Sequence, residues 1–467
     1  MNVLLINPSQ AELYGKLVVP EHPPIGLAYI GAMLEKHGHG VSIIDIDADD
    51  VTDEILRQKL ANDRIGLVGI MTLTPTFESA IKAARVIKQN SGAKVVLGGI
   101  HPTLMPEECL ERTEVDYVVI REGEFTMVEL VEALEKGKDV SSIKGLGYKK
   151  DARIVINEMR PLIEDLDEIP FPAMHLFHNT RYTYPDAVAS PAFPIITSRG
   201  CPGTCTYCNA QCIFTRRFRA RSAKNCVDEV ERLIENFGAR EIHIWDDNFV
   251  TIKKRVFEVR DEIKSRGIST RFAFPNGIRV DFLNKEVLSA LKEMGTYSIA
   301  LGIESGDEEI LRRAKKNQSL QKVREIVRLT KEIGIETWGF FMLGLMGDTE
   351  ESIRRTIDFA IELDPDIAKF HILKPYPGTE VYGELLEKGM IDDMDFSHYG
   401  IHTGPVHHLE SLTAKDIMRL QNEAYRRFYM RPSKLAKQVI RMNSLTRVKL
   451  NVRVGFSLLR KMFEKQV

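Results

Sequence analysis

The stretch Ser198-Arg-Gly-Cys-Pro-Gly-Thr-Cys-Thr-Tyr-Cys208 constrains this chain more than any other. It puts three of the six cysteines, Cys201, Cys205 and Cys208, at C-x3-C-x2-C within eight residues. Thiolate is the soft ligand that iron–sulfur clusters need, and three neighbouring thiolates can hold three irons of a [4Fe–4S] cube. The fourth iron is then open to a small molecule. A structural zinc site more often uses two separated pairs, and no second pair is present. Cys212 follows Cys208 at x3 but nothing follows it at x2, so 201/205/208 is the register that fits. Gly200, Pro202 and Gly203 let the backbone wrap tightly.

With Tyr207 as the aromatic of C-x3-C-x-aromatic-C, the loop resembles the signature of the radical S-adenosylmethionine (SAM) enzymes. The resemblance implies that the open iron binds the amino and carboxylate groups of SAM, and that the reduced cluster cleaves SAM to a 5′-deoxyadenosyl radical. It also implies an external electron donor, flavodoxin- or ferredoxin-like. The spacing alone shows only an iron–sulfur site. Cys212 reads as structural, because a fourth thiolate would block SAM, and Cys226 as a core residue of an amphipathic helix.

At 467 residues the chain exceeds one typical core, so two or three domains are expected. A formal net charge of −2 argues against nucleic-acid binding by the whole chain. The cysteines lack the paired pattern of a secreted disulfide framework, and a reducing cytoplasm suits them. Met1-Asn-Val-Leu-Leu-Ile-Asn has no basic region before its apolar run, which reads as a strand and not a signal peptide.

Residues 2–135 alternate strands (Val3–Ile6, Val41–Ile46, Leu67–Met71, Lys94–Leu97, Tyr117–Ile120) with helices near 25–37, 77–89 and 124–136. That alternation predicts a doubly wound parallel sheet, with ligands at the carboxyl ends of its strands. Those ends read Asn7-Pro-Ser, Thr72-Leu-Thr-Pro-Thr76, Gly98-Gly-Ile-His-Pro-Thr103 and Arg121-Glu-Gly-Glu124. In order, and with Pro23-Pro-Ile-Gly-Leu-Ala-Tyr-Ile, they are similar to the cobalamin-binding domain that precedes many radical SAM domains. The resemblance implies cobalamin contacts at Thr72, Leu73, Thr74, Gly98, Gly99, His101, Thr103 and Glu122. One departure stands out. Many cobalamin domains carry Asp-x-His-x-x-Gly after the first strand, where the His ligates cobalt; this chain reads Ser9-Gln-Ala-Glu-Leu there. Cobalamin is therefore expected without a His ligand from that motif, with His101 as a loop or wall residue. Cys109 reads as packing, and one cysteine in this domain cannot hold the second cluster of a methylthiotransferase.

A second βα series follows, with strands expected at 194–198, 241–246, 271–274, 297–303, 337–343 and 367–373. Six units suit the partial (β/α)6 barrel that the resemblance implies, with chemistry at the strand ends. Asp246 or Asp247 would take the SAM ammonium. Glu304 and Ser305 would serve its ribose and carboxylate region, Arg279 its carboxylate or the substrate, and Tyr207 lies in the motif. Ser305 and Asp307 equally suit a helix cap.

The expected organisation is a Rossmann-like cobalamin-binding domain over 1–138, a linker with a hairpin over 139–190, a radical SAM partial barrel over 191–405 and a basic helical C-terminal region over 406–467. Residues 411–467 hold 6 Lys and 8 Arg against 1 Asp and 2 Glu, a net +11. A solvated helical cap on the barrel is the leading reading of this tail; peripheral contact with anionic lipid is the sharper one. The whole reads as a cobalamin-dependent radical SAM enzyme, resembling C- or P-methyltransferases that use SAM as methyl donor and radical source. The rivals are a cobalamin-containing radical SAM cyclase and a non-catalytic iron–sulfur and corrinoid-binding protein. The substrate is a small molecule of unread identity.

Anaerobically reconstituted protein is expected to hold about four irons per chain. Alanine at Cys201, Cys205 or Cys208 abolishes SAM cleavage, and Cys212→Ala keeps the cluster. Iron loss from Cys212→Ala as severe as from Cys205→Ala contradicts the register.

Overall fold

The computed structural model describes residues 1–14, 22–151, 153–184 and 187–434. Five buried strands, β1 (Asn2–Asn7), β2 (Gly40–Asp45), β3 (Leu67–Met71), β4 (Lys94–Gly98) and β5 (Tyr117–Val119), pair in parallel in the order β2-β1-β3-β4-β5. Their apolar side chains face helices on both sides, which is why they read as continuous apolar runs. The hairpin β6 (Leu146–Lys150) and β7 (Arg153–Ile156) extends this sheet antiparallel from β5. The helix Asp53–Asn62, capped by Thr52, completes the β2–β3 crossover.

The second half opens with β8 (Ala192–Ile195) and a two-residue ladder, β9 (Ser198–Arg199) with β10 (Arg219–Ala220). Then come β11 (Glu241–Ile244), β12 (Arg271–Arg279), β13 (Thr296–Glu304), β14 (Glu336–Leu343) and β15 (Ile367–Ile372). The sheet order β15-β14-β13-β12-β11-β8 follows the sequence and every pairing is parallel. Consecutive βα units in sequential order make an open six-unit barrel. The intervening helices Ala223–Phe237, Lys253–Ser265, Lys285–Glu293, Leu320–Ile333 and Glu350–Leu363 each bury one apolar stripe against it.

An open barrel leaves edge strands whose backbone groups need partners. At β15 the C-terminal helix Ala414–Tyr429 supplies them. The Tyr429 hydroxyl takes the Ala368 amide at 3.0 Å and donates to the Ala368 carbonyl at 2.9 Å. Gln421 Nε2 donates to the Phe370 carbonyl at 2.7 Å. Two basic residues of this helix and two just beyond it pair with the neighbouring helix 350–363 and the residue after it: Arg419 with Glu350, Arg427 with Asp358, Arg431 and Lys434 with Asp364. This is the cap reading of the tail, as far as residue 434; the amphipathic stretch Val454–Phe463 lies outside the described residues. No helix among the described residues is long and apolar enough to cross a membrane.

Candidate active site

The cluster loop runs from Gly200 to Phe218, and the β9–β10 ladder is its neck. Gly200 is required at the entrance: it has φ +85°, and a Cβ there would stand 2.2 Å from the Arg217 carbonyl. The ladder sets Arg199 directly opposite Arg219. Like charges facing across strands repel, so the neck closes only against carboxylates. The first domain provides them. Glu122 Oε1 accepts Arg199 Nη1 at 2.8 Å and Arg219 Nη1 at 2.9 Å, and Glu124 accepts Arg199 Nη2. Glu122 Oε2 also accepts the Ile163 amide at 2.9 Å, and Arg199 lies over the Tyr29 ring at 5.5 Å. All four charged side chains are buried, at 3–10% exposed. Glu122, expected at the corrin crevice, is instead part of this clamp between the two domains.

Within the loop, Cys201, Cys205 and Cys208 are free thiols. Gly203 leaves room for Arg279, since a Cβ would meet its Nη1 at 2.5 Å. Arg279, held bidentately by Asp281 at 3.1 and 2.8 Å, donates Nη1 to Cys205 Sγ at 3.3 Å. A guanidinium there favours the thiolate and any anionic cluster on it. Arg279, expected to meet the SAM carboxylate or the substrate, thus points at the cluster thiols. Cys212 donates to the Gly378 carbonyl at 3.1 Å and Cys226 is buried beside Arg255. No three His, Cys, Asp or Glu side chains among the described residues converge on a single point as a one-ion site needs, whereas a cube takes each thiolate on a different iron.

Around the loop, Asp247 Oδ2 accepts the Gly200 amide at 2.8 Å, and burial, reinforced by Asp246, raises its carboxyl above the usual range. Glu304 ends β13 at φ +65°, beyond a bulge, and accepts Lys316 Nζ at 2.8 Å. Left-handed backbone at a non-glycine residue is a strained conformation that clusters at functional sites. Gly302 lies under this pair: a Cβ would sit 2.8 Å from both Glu304 Oε1 and Lys316 Nζ. Tyr207 reaches the same spot, its hydroxyl pushed up by burial, then by Glu304 and Cys205. Lys316, the partner of Glu304, is the residue of this spot that sequence reasoning missed; its signal is the Lys315-Lys316 pair just beyond the helix Glu308–Arg313. Two expected SAM residues have other work. Asp246 is saturated by the Thr197 amide and hydroxyl, both at 2.6 Å, and by Ser198 Oγ at 2.5 Å. Ser305 bonds Thr356 at 3.0 Å beside the Asp307 helix cap.

On the first domain, Gly99 at φ +115° lets the Thr72 carbonyl approach; a Cβ would be 2.9 Å from it. Above Gly98 there is space, the nearest atom to a built Cβ being Val119 Cβ at 3.9 Å. Thr74 Oγ1 and His101 Nδ1 are buried without a hydrogen-bond partner, and His101 Nε2 has only Glu108 Oε2, at 3.6 Å. Unpaired buried polar atoms beside a glycine cradle suit a polar ligand at the strand ends, as cobalamin requires. Leu73 donates its amide to Thr76, and Thr103 ties the Gly99 carbonyl at 2.7 Å to the Arg121 amide at 2.9 Å. His101 is wall: it packs on Phe77 at 4.3 Å and Phe396 at 5.4 Å, and burial, then Arg112, lowers it to about 4. Ser9 and Gln10, where the cobalt-ligating His would stand, bond Asp47. The segment Ile100–Leu104 packs against the helix Ala210–Phe214, which lies within the cluster loop just after Cys208, and Leu104, Cys212 and Gly378 meet. The strand-end crevice and the cluster loop are therefore neighbours.

Residues 195–360 match the radical SAM superfamily and residues 13–131 the B12 binding domain. The chain is 34% identical over 441 residues to an uncharacterized methyltransferase of Pyrococcus horikoshii, covering 94% of this chain and 95% of the relative. It is 29% identical to cytidylyl-2-hydroxyethylphosphonate methyltransferase of Streptomyces wedmorensis (84% and 82% covered), and 30% identical to the anaerobic magnesium-protoporphyrin IX monomethyl ester cyclase of Cereibacter sphaeroides (92% and 71%). Its fold is that of the radical SAM methyltransferase TsrM of Kitasatospora setae (TM-score 0.71, 22% identity, 83% of this chain and 78% of that one). It is also that of the cobalamin-dependent SAM radical enzyme OxsB (TM-score 0.78, 16% identity, 99% and 72%).

Removing Glu122 leaves two buried guanidiniums facing each other. Breaking one partner of a buried ion pair costs about 3–5 kcal/mol. Glu122→Ala is expected to lose that much in urea unfolding and to shed iron faster than wild type, and Glu122→Ala with Arg219→Met to recover part of both. A Glu122→Ala protein with wild-type stability and iron retention contradicts the clamp. By these matches and this geometry, the chain belongs to the radical SAM superfamily, in its branch that carries a B12-binding domain, and its cofactors are a [4Fe–4S] cluster, SAM and cobalamin.

Proposed function

We propose that this enzyme is a cobalamin-dependent radical SAM methyltransferase acting on an unactivated carbon or phosphorus centre of a small molecule, with SAM as both methyl donor and radical source. The observation that carries this reading is the meeting of Ile100–Leu104 with Ala210–Phe214, which sets the strand-end crevice beside the cluster loop. Methyl transfer to a radical needs the methyl carrier and the radical source in one chamber. The methyltransferases among the relatives support the same reading.

When bound, the cluster, SAM and cobalamin supply the one-electron and methyl-transfer chemistry. This chain's residues hold and orient them. Cys201, Cys205 and Cys208 hold the cluster, and Arg279 supports its charge through Cys205. Asp247, Glu304 with Lys316, and Tyr207 wall the SAM side of the loop. Thr72, Leu73, Thr74, Gly98, Gly99 and His101 would form the cobalamin cradle, with Thr103 closing it, and the stretch Ser9-Gln-Ala-Glu-Leu after β1 lacks the His of the Asp-x-His-x-x-Gly motif. Glu122 and Glu124 keep the two halves in register. A flavodoxin- or ferredoxin-like donor and a cytoplasmic setting belong to this reading.

The second reading, cyclisation without methyl transfer, is favoured by the cyclase relatives. Methyl-deuterated SAM separates the two. The methyltransferase reading predicts both S-adenosylhomocysteine and 5′-deoxyadenosine from the reduced, cobalamin-loaded enzyme, and a trideuterated methyl group in the product. 5′-Deoxyadenosine alone, with no S-adenosylhomocysteine, contradicts it.

A further inference from the structure

Beyond the last strand of the barrel the chain reaches back to the first domain. Residues 392–406 form a loop whose ends meet. Ile391 and His407 make an antiparallel bridge, and the Asp392 and Asp393 amides both donate to the Val406 carbonyl, at 2.9 and 3.2 Å. A compact loop of this length with closed ends is an Ω-loop. Its neck is fixed to the barrel, where the fully buried His407 donates Nε2 to the Gly344 carbonyl at 2.9 Å. The buried Tyr399 fills its interior. The Tyr399 hydroxyl donates to the Asp393 carbonyl at 2.9 Å, and its carbonyl accepts the Tyr376 hydroxyl at 2.8 Å.

One ammonium holds the far part of this loop to the barrel rim. Lys374, just beyond β15, donates Nζ to the His398 carbonyl at 3.0 Å, to Thr403 Oγ1 at 2.8 Å and to the Gly404 carbonyl. Its side chain is buried, and its three donors meet three acceptors of one segment. Charge-assisted bonds of this kind are the strong ones.

The same loop rests on the first domain. Its turn Phe396–His398 packs on Thr74–Thr76 after β3, on the segment Ala11–Tyr14 after β1 and on the helix Phe77–Asn90. The Phe396 ring meets His101, after β4, at 5.4 Å. A segment from beyond the barrel thus crosses the ends of β1, β3 and β4, where a parallel sheet puts its ligand. The seating is loose. A cavity of about 290 Å³ lies between residues 394–397 of the loop and Phe77, Glu78 and Glu108 of the first domain. Close-packed interiors leave few voids larger than a water. Met394 and Ile401 are half exposed. The crevice therefore has two unlike walls. On the cluster side the domains are joined by the buried charges of Glu122, Glu124, Arg199 and Arg219. On the other side stands a loop with a gap beneath it, and lids are drawn from such low-stability segments.

We propose that residues 392–406 are the retaining strap of the cobalamin crevice, with Phe396 seated on the cradle and Lys374 as the latch. The corrinoid enters and leaves as the strap lifts, while the clamped domains stay in register. Lys374 is a positioning residue that acts through the loop it ties down. The inference concerns how the cofactor is held and stands whether the enzyme methylates or cyclises.

Two measurements on the full-length, cluster-loaded protein test it, with hydroxocobalamin as the probe. In hydrogen–deuterium exchange of the wild type, peptides from residues 392–406 are expected to exchange about tenfold or more slowly once hydroxocobalamin is bound, with little change at the neck strands β9 and β10. In timed uptake and release, followed by desalting and visible spectra, Phe396→Ala and Lys374→Met are each expected to speed both processes about tenfold, at unchanged iron content. Phe396→Tyr, which restores a ring, keeps the wild-type rates. Mere damage to the site speeds release and leaves uptake slower or unchanged, so faster uptake is the signature of a strap. Exchange in 392–406 that ignores hydroxocobalamin overturns the inference, as does equal slowing at the neck, uptake that neither variant speeds, or a wild type that takes up no corrinoid. The wild-type exchange decides even if a variant fails to fold.

Discussion

Two arginines face each other across the neck of the cluster loop, and the structure depends on how that repulsion is met. Arg199 and Arg219 are a cross-strand pair, buried, with two glutamates of the other domain as their counter-charges. Burying four charges costs desolvation energy, so such a cluster is weak evidence for stability in itself. What it offers is register. The carboxylates sit just beyond β5, beside the strand ends where the B12-binding half opens. The guanidiniums sit at the neck of the loop that carries the three cysteines. Docking the two domains and closing the loop are therefore one event, and the clamp aligns the two ligand-bearing edges.

Both halves follow one rule. Parallel sheets put ligand-bearing loops at the carboxyl ends of strands, and here the two sheets bring those ends together. Locally the chain pays for this with strained or unsatisfied groups: Glu304 at positive φ, and Thr74 Oγ1 and His101 Nδ1 buried without a hydrogen bond. Elsewhere polar groups are tied off. Asp246 anchors the approach to the neck, the Asp307 cap fixes the turn after Glu304, and Tyr429 and Gln421 cover the barrel's exposed edge. The difference between the two kinds of place marks where ligands belong.

The order of strands and helices was legible in the sequence because period and punctuation are local. Leu67–Met71 and the helix Phe77–Asn90 lie where the pattern puts them. The helix Asp53–Asn62 carries only Leu56 and Leu60 as buried anchors, too thin a stripe to read. The cysteine triad was legible because its chemistry lies in spacing. Glu122, Asp246, Ser305 and Lys316 were not, because each role is set by partners far off in the sequence: Glu122 meets residues 77 and 97 positions away.

The central claim is that the clamp holds the cobalamin crevice beside the cluster. Electron paramagnetic resonance of the fully loaded enzyme tests it directly. With cobalamin in its paramagnetic cobalt(II) form, the spectrum is recorded before and after one-electron reduction of the cluster. The account predicts that reduction splits or broadens the cobalt signal through magnetic coupling of neighbouring centres, and that Glu122→Ala weakens the effect. A cobalt signal unchanged by cluster reduction in the wild type contradicts the account.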